Sequence, residues 1–228
     1  NGGIPEYLKF NEQIILKKIY EDILYRDIIV RHDLKEVKSI RELGLYLLSN
    51  VTCLYSYNKL KILLELGSVN TIKSYIEYFE NSYLLFSLTK FDYSLKKQFL
   101  ANKKIYCIDS GIIEAISFTF MKNSSHFLEN LVFLEQKRNG KEIYYYNTKN
   151  GFEVDFLIKK ESKIESLIQV SSEIKDKKTK DREIRSLIEA MNELNLDESF
   201  ILTTDTEETI NIDKKTIIIK PVYKWLIS

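Results

Sequence analysis

Residues 143–158 constrain this chain more tightly than any other stretch. They read IYYYNTKNGFEVDFLI. Two runs rich in aromatic and β-branched residues flank Asn150-Gly151, a pair that takes up positive φ at little cost and so closes a hairpin. The runs predict strands over 143–147 and 153–158. In the second, Val154, Phe156 and Ile158 are expected on one face, and Glu153, Asp155 and Leu157 on the other. An aspartate is thereby placed inside a strand. Lys160-Glu161-Ser162 turns the chain into a third strand, 165–171, with Leu167, Gln169 and Ser171 pointing one way and Ile168 and Val170 the other. A helix is expected before the hairpin, over 126–139. Ser124 or Ser125 caps it, Phe127, Leu128, Leu131, Val132 and Leu134 face inward, and Gly140 ends it. A helix over 180–195 and strands over 199–204 and 216–220 follow. One mixed sheet with helices packed on its faces is an α/β layer.

The first half reads differently. Residues 2–7 are turn-like. Over 11–31 the apolar residues Ile14, Ile15, Ile19, Ile23, Leu24 and Ile28 recur at three- and four-residue steps, predicting one helix. Arg26, Asp27, Arg31 and His32 at its end read as surface ion pairing and a cation near a helix C-terminus. Three helices are expected next, over 37–50, 56–66 and 68–81, the last two separated by Gly67. Two strands, 84–89 and 105–109, enclose a segment carrying Lys90, Lys96, Lys97, Lys103 and Lys104. A supporting helix, a helix–turn–helix and a basic hairpin spell a winged helix. On that plan Ser68, Asn70, Thr71, Lys73 and Ser74 at the start of the third helix would meet DNA bases. Lys96, Lys97, Lys103 and Lys104 would meet phosphates. No arginine lies on that helix to read guanine bidentately. Asp109-Ser110-Gly111 starts a short helix towards residue 120, and the polar residues 122–125 mark a boundary.

These patterns give a domain division of 1–35 as a linker helix, 36–122 as the winged helix and 123–228 as an α/β domain. Lysine plus arginine number 34 against 33 aspartate plus glutamate. The whole chain therefore has no field that selects a polyanion, and any such affinity must come from local clusters. No apolar run approaches the roughly 20 residues of a membrane span, so no membrane partner is expected. Cys53 and Cys107 have no partner spacing and read as reduced thiols of a cytoplasmic protein.

Several segments together resemble one family. GGIPEYL, YEDILYRDIIVRH, LLSNVTCLYSYNKL, KSYIEYFENSYLLFSL, IYCIDSGI, HFLENLVFLEQKRNG and GFEVDF occur here in that order. Their pattern is similar to the C-terminal region of archaeal and bacterial AAA-type P-loop ATPases, and the resemblance covers nearly the whole chain. It implies that an ATPase domain precedes a winged helix and a restriction-endonuclease-like domain. It also implies that the 228 residues are a piece of a longer protein. No GxxxxGK[ST] occurs in them, so ATP and Mg²⁺ are expected in the missing ATPase domain and no cofactor in this piece. The GGIPEYL segment would then be the tail of the ATPase lid. Expected partners are double-stranded DNA, the protein's own ATPase domain and a second copy of the chain.

A nuclease of that fold needs carboxylates to hold a divalent metal and a lysine to steady the attacking water. Residue by residue, Glu129 takes the helix carboxylate and Asp155 the strand aspartate. Gln169 stands where the second metal carboxylate belongs, and Ser171 where lysine belongs. The amide brings no charge and the hydroxyl no cation. Glu173-Ile174-Lys175 is a literal Glu-x-Lys, but it lies about 13 Å further along the strand. It could share a metal with Asp155 only after a four-residue slip in register. Without that slip, Glu129 and Asp155 read as acids retained by the fold, neutralised by Lys149 or Lys175. The expectation is a DNA-binding and coupling region with a degenerate nuclease domain. The alternatives are an Mg²⁺-dependent DNA endonuclease, with Glu129 and Asp155 on the metal, and a protein-interaction platform that binds no nucleic acid.

Overall fold

The structure is a computed structural model and describes residues 2–117, 124–174 and 176–227. In chain order its helices are α1 (Pro5–Phe10), α2 (Gln13–Asp22), a π-helix (Ile23–Val30), α3 (Val37–Ser49), α4 (Tyr57–Leu63), α5 (Val69–Asn81), α6 (Leu95–Leu100), α7 (Ser110–Ile116), α8 (Ser124–Arg138), α9 (Lys177–Leu194) and α10 (Val222–Leu226). Its strands are β1 (Leu54–Tyr55), β2 (Leu85–Leu88), β3 (Lys103–Cys107), β4 (Glu142–Asn147), β5 (Glu153–Lys160), β6 (Lys163–Val170), β7 (Glu198–Thr203), β8 (Glu208–Ile212) and β9 (Lys215–Pro221). The chain forms two compact units. The first is Asn1–Ser87 with Asn102–Lys122, and the second is Leu88–Ala101 with Asn123–Ser228. The expected boundary at 122–123 falls outside the described residues.

In the first unit, helices cover a three-stranded sheet of order β1-β3-β2. The expected loop over 2–7 stops at residue 4, and α1 starts with Pro5 at its first position, where a missing N–H costs nothing. The single 3.6-period helix expected over 11–31 is also corrected. Its buried residues Leu16, Tyr20, Leu24 and Ile28 follow one another at four-residue steps, with Ile29 buried beside them, while Ile14 is 64% exposed. A repeat of four drifts around an α-helix. The wider π winding of residues 23–30 keeps Leu24 and Ile28 inward. Ser56 caps α4 through the Lys59 N–H at 3.2 Å, and Ser68 caps α5 through the Asn70 N–H at 3.1 Å. α5 buries Ile72, Tyr75, Ile76 and Phe79. His32 is structural: its ring stacks on Tyr78 at 3.8 Å between centroids.

Asp109 ties this unit's first residues to α7. Its Oδ1 accepts the N–H groups of Gly111 (2.8 Å) and Ile112 (3.1 Å), and its Oδ2 accepts the Gly3 N–H at 2.6 Å. A Cβ on Gly2 would lie 2.1 Å from Asp109 Oδ1. The GGIP and DSG segments are thus the two halves of one clasp, and the close approach explains the glycine at position 2.

The second unit is a six-stranded sheet of order β4-β5-β6-β7-β9-β8. β4, β5 and β6 are antiparallel neighbours, β6, β7 and β9 run parallel, and β8 pairs antiparallel with β9. α9 is the crossover that joins parallel β6 to β7. It packs Leu187, Ala190 and Met191 on Val154, Leu157, Leu167, Ile201, Ile217 and Ile219. α8 covers the opposite face, where Phe133 meets Phe156 at 6.5 Å. Residues 88–101, expected as a free basic loop of the first unit, lie with the second. Phe91 donates its N–H to the Tyr145 carbonyl at 2.8 Å and joins the α9-side core. This segment covers the outer edge of β4, which would otherwise expose unpaired backbone groups.

Two face assignments differ from the alternation expected. Val154 and Leu157 share one core because β5 is bulged. Tyr144 faces Leu157 and Tyr146 faces Val154, so β5 carries one extra residue there. On α8 the expected inward Leu131 is 40% exposed, whereas Glu129, Asn130, Val132, Phe133 and Gln136 are buried. That helix buries polar and apolar groups together, so its apolar pattern does not mark its inner face.

Candidate functional site

The bulge places Asp155 at the centre of a buried polar cluster. Its Oδ2 accepts the Val170 N–H at 2.9 Å, and its own N–H donates to Gln169 Oε1 at 3.2 Å. The Gln169 side chain also acts on the Glu183 carboxyl, favouring its charged form. Glu183 projects from α9 and is 5% exposed. Arg182 closes the cluster, giving Glu183 Oε1 a hydrogen bond from Nε at 3.1 Å and a second from Nη2. Burial raises the Glu183 carboxyl above its usual range, opposed by Arg182 and reinforced by the Asp155 charge. Asp155 and Glu183 together hold the Arg182 guanidinium in its charged form.

Gln169 therefore has a definite role. Its oxygen takes the Asp155 N–H at the bulge, and its neutral amide adds no charge beside two acids. A glutamate there would bring a third carboxylate against Asp155 and Glu183. Ser171 has no cationic role either. Its hydroxyl donates to the Glu173 carbonyl at 3.1 Å, and its N–H to the Leu202 carbonyl at 3.0 Å, so it fixes the end of β6.

The four-residue slip does not occur. Phe156 faces Ile168 and Leu157 faces Leu167. Glu173 lies beyond β6 and is exposed. Ile174, the middle of the Glu-x-Lys, is buried in the α9-side core. Lys175 lies outside the described residues. Glu129 is buried on α8, the helix on the other face of the sheet from Glu183. Among the described residues no three His, Cys, Asp or Glu side chains gather to hold a metal ion. Arg182 interacts with the Asp155 charge. Lys149 instead gives its backbone N–H to Glu193.

Arg182 and Glu183 escaped the sequence reading because the motif was sought on one strand. A signal for Glu183 exists: it falls in the inward stripe Glu183, Ser186, Leu187, Ala190, Met191 of α9, as the one acid at a core position.

The nucleic-acid candidates of the first unit are partly brought together. Ser68 is occupied as a helix cap. Asn70 and Lys73 are exposed and Thr71 and Ser74 half-buried. Lys73 Nζ lies 5.5 Å from the centre of the Tyr57 ring and Lys103 Nζ 5.7 Å from it, two ammonium groups on one aromatic ring. Tyr57 was not legible as a site residue, since only the pairing of Tyr55 with Lys103 brings β3 past the start of α4. Lys104 is 3% exposed, which takes it out of any surface set. Lys96 and Lys97 are exposed on α6, in the second unit. Cys53 and Cys107 are free thiols, and burial pushes that of Cys107 up to about 12. Among the described residues no helix is long and apolar enough to cross a membrane.

The chain belongs to the family described as Domain of unknown function (DUF8612), whose pattern matches residues 2–123; residues 124–225 match a second, Domain of unknown function (DUF4143). Among individual proteins it is similar to the uncharacterized protein MJ1544 of Methanocaldococcus jannaschii. The two are 36% identical over 246 residues, covering 100% of this chain and 54% of that protein. An uncharacterized protein of Haemophilus influenzae is 28% identical over 180 residues, covering 76% of this chain and 44% of that protein. The chain thus spans about half the length of these curated relatives or less. No solved structure matches it.

Proposed function

We propose that the chain is the duplex-DNA-binding and coupling region of a longer AAA-type P-loop ATPase, and that its second unit is a nuclease-like domain that binds without cutting. The DUF4143 family is commonly the C-terminal domain of such ATPases. The half of the relatives that this chain does not span leaves room for an ATPase domain, where ATP and Mg²⁺ would act. From α3 to β3 the first unit runs helix, strand, helix, helix, strand, strand with sheet order β1-β3-β2, an order that supports a winged-helix reading. In that reading α5 is the recognition helix, and Asn70 and Lys73 face the groove.

The observation that carries the reading is the convergence of Lys73 and Lys103 on Tyr57 beside the exposed start of α5. It concentrates cation where a chain of formal net charge +1 otherwise has little to spare. Fluorescence anisotropy of a labelled duplex at low salt tests it. Lys73→Gln with Lys103→Gln is expected to weaken binding about tenfold and to lessen its salt dependence by about two counterions. A parent chain that binds no duplex even at low salt would remove the reading and leave the protein-interaction platform.

A further inference from the structure

The second unit carries a cationic face that neither the family pattern nor the degenerate nuclease motif predicts. Residues 176–185 read DKKTKDREIR. Two of their five cations are engaged: Lys180 with Glu208, and Arg182 with Glu183. Asp176 is taken up by Thr179, accepting its N–H at 2.9 Å and its hydroxyl at 3.0 Å. Lys177, Lys178 and Arg185 are exposed and have no acidic partner among the described residues. Of the three acids, only Asp181 is left on this face to oppose them.

Helical spacing sets the shape of the face. Residues 178, 182 and 185 follow one another by four and three, so Lys178, Arg182 and Arg185 form one stripe. It spans about 10 Å along the axis at 1.5 Å per residue. Measured along the duplex axis, that length holds about three phosphates of one strand, at about 3.4 Å of axis each. The stripe borders an open depression of about 870 Å³ lined from Asp176 to Arg185 by polar and charged side chains, whose hydrocarbon stems supply much of its wall but which include no aromatic or large aliphatic residue. A protein partner would need an apolar or aromatic anchor point there. A phosphate backbone needs only cations and hydrogen-bond donors.

The buried cluster stands directly behind. Glu183 takes the Nε and Nη2 donors of Arg182 and leaves the rest of the guanidinium to solvent, with the side chain 69% exposed. The guanidinium is thus held in place before any ligand arrives.

We infer that the face formed by Lys177, Lys178, Arg182 and Arg185 is a metal-independent phosphate-backbone site, through which the second unit grips duplex DNA. The inference rests on the reading that the chain binds duplex and assigns a second, separate contact to it. The test uses the whole chain, EDTA and a fluorescent duplex of random sequence titrated across a salt series. The variant is Lys177→Gln with Lys178→Gln and Arg185→Gln. A control of equal charge change is Lys160→Gln with Lys163→Gln and Lys214→Gln, all exposed and away from the face.

The α9 variant is expected to bind about tenfold or more weakly and to lose about two to three units from the slope of log affinity against log salt. The control should lose much less, and both should keep the parent's melting temperature. Equal losses in the two variants would make the effect one of net charge and overturn the site. So would an α9 variant with the parent's slope. If that variant binds normally while Lys73→Gln with Lys103→Gln does not, the first-unit reading stands and this one fails. If the parent itself binds no duplex, both fail. Binding that EDTA abolishes would overturn metal independence.

Discussion

Gln169 accepts the Asp155 N–H and sits between two acids without adding a charge, since it also favours the ionised Glu183 carboxyl. Gln169→Glu is expected to destabilise the fold at neutral pH by about 1–3 kcal/mol, the cost of a buried group that loses its partner. Part of that loss should return in millimolar MgCl₂, because three carboxylates would then face one another. Thermal melts with and without the metal check this, and melts unaffected by Mg²⁺ would mean that the three side chains do not converge. Glu183 gives a second prediction. Burial raises its folded-state carboxyl above the usual value of 4.5. Between the unfolded and folded values the native state holds more protons than the unfolded state, so this group's contribution declines as pH rises. Glu183→Gln should therefore gain on the parent in melting temperature as pH is raised from about 4.5 towards neutrality. A difference that is flat with pH, or that shrinks, would contradict the burial argument. An aspartate and a glutamine are visible in the sequence. Their bonding is not, because it depends on a one-residue bulge and on a glutamate from a helix beyond the strand.

At the scale of elements, close packing of α2, α3 and α5 organises the first unit. It is concentrated at Gly44, where a Cβ would lie 2.9 Å from both Phe79 Cζ and the Tyr20 hydroxyl oxygen. Both are buried, and burial pushes the Tyr20 phenol up to about 12, so neither is free to swing aside. Gly44→Ala is expected to cost about 1–3 kcal/mol through overpacking, with the helix propensity gained by alanine too small to compensate. Chemical denaturation checks the value, and a neutral or stabilising effect would mean that these helices can separate cheaply. Periodicity located α3, α5 and α9 to within a few residues, since each has a clear apolar stripe and α5 and α9 have polar residues at their starts. It missed α6, α10, β1 and β8, which are six residues or fewer and too short for a period to emerge. It misjudged the inner face of α8, whose buried side chains include Glu129, Asn130 and Gln136.

For the whole molecule, the proposed reading expects binding of DNA without its cleavage. Supercoiled plasmid incubated with the chain and MgCl₂ should remain uncut, and Asp155→Ala should leave that result unchanged. Cleavage that disappears in Asp155→Ala would establish the endonuclease alternative. The two units, one belonging to DUF8612 and the other matching DUF4143, offer separate cationic surfaces for the binding measurement, at Tyr57 and along α9.

Local chemistry alone settled a good deal. Asn150-Gly151 had to turn because few other pairs tolerate its backbone. Asp155 had to lie in a strand because apolar residues surround it. Ser56 and Ser68 had to start helices because their hydroxyls satisfy free N–H groups. Tertiary structure decided what those residues meet. Strand pairing set the bulge that turns Asp155 towards Gln169. The crossover helix brought Arg182 and Glu183 to them from residues later in the chain. The sheet edge drew 88–101 away from the unit in which their sequence neighbours lie. Each of these depends on contacts between distant positions, and periodicity and turn chemistry report only on neighbours.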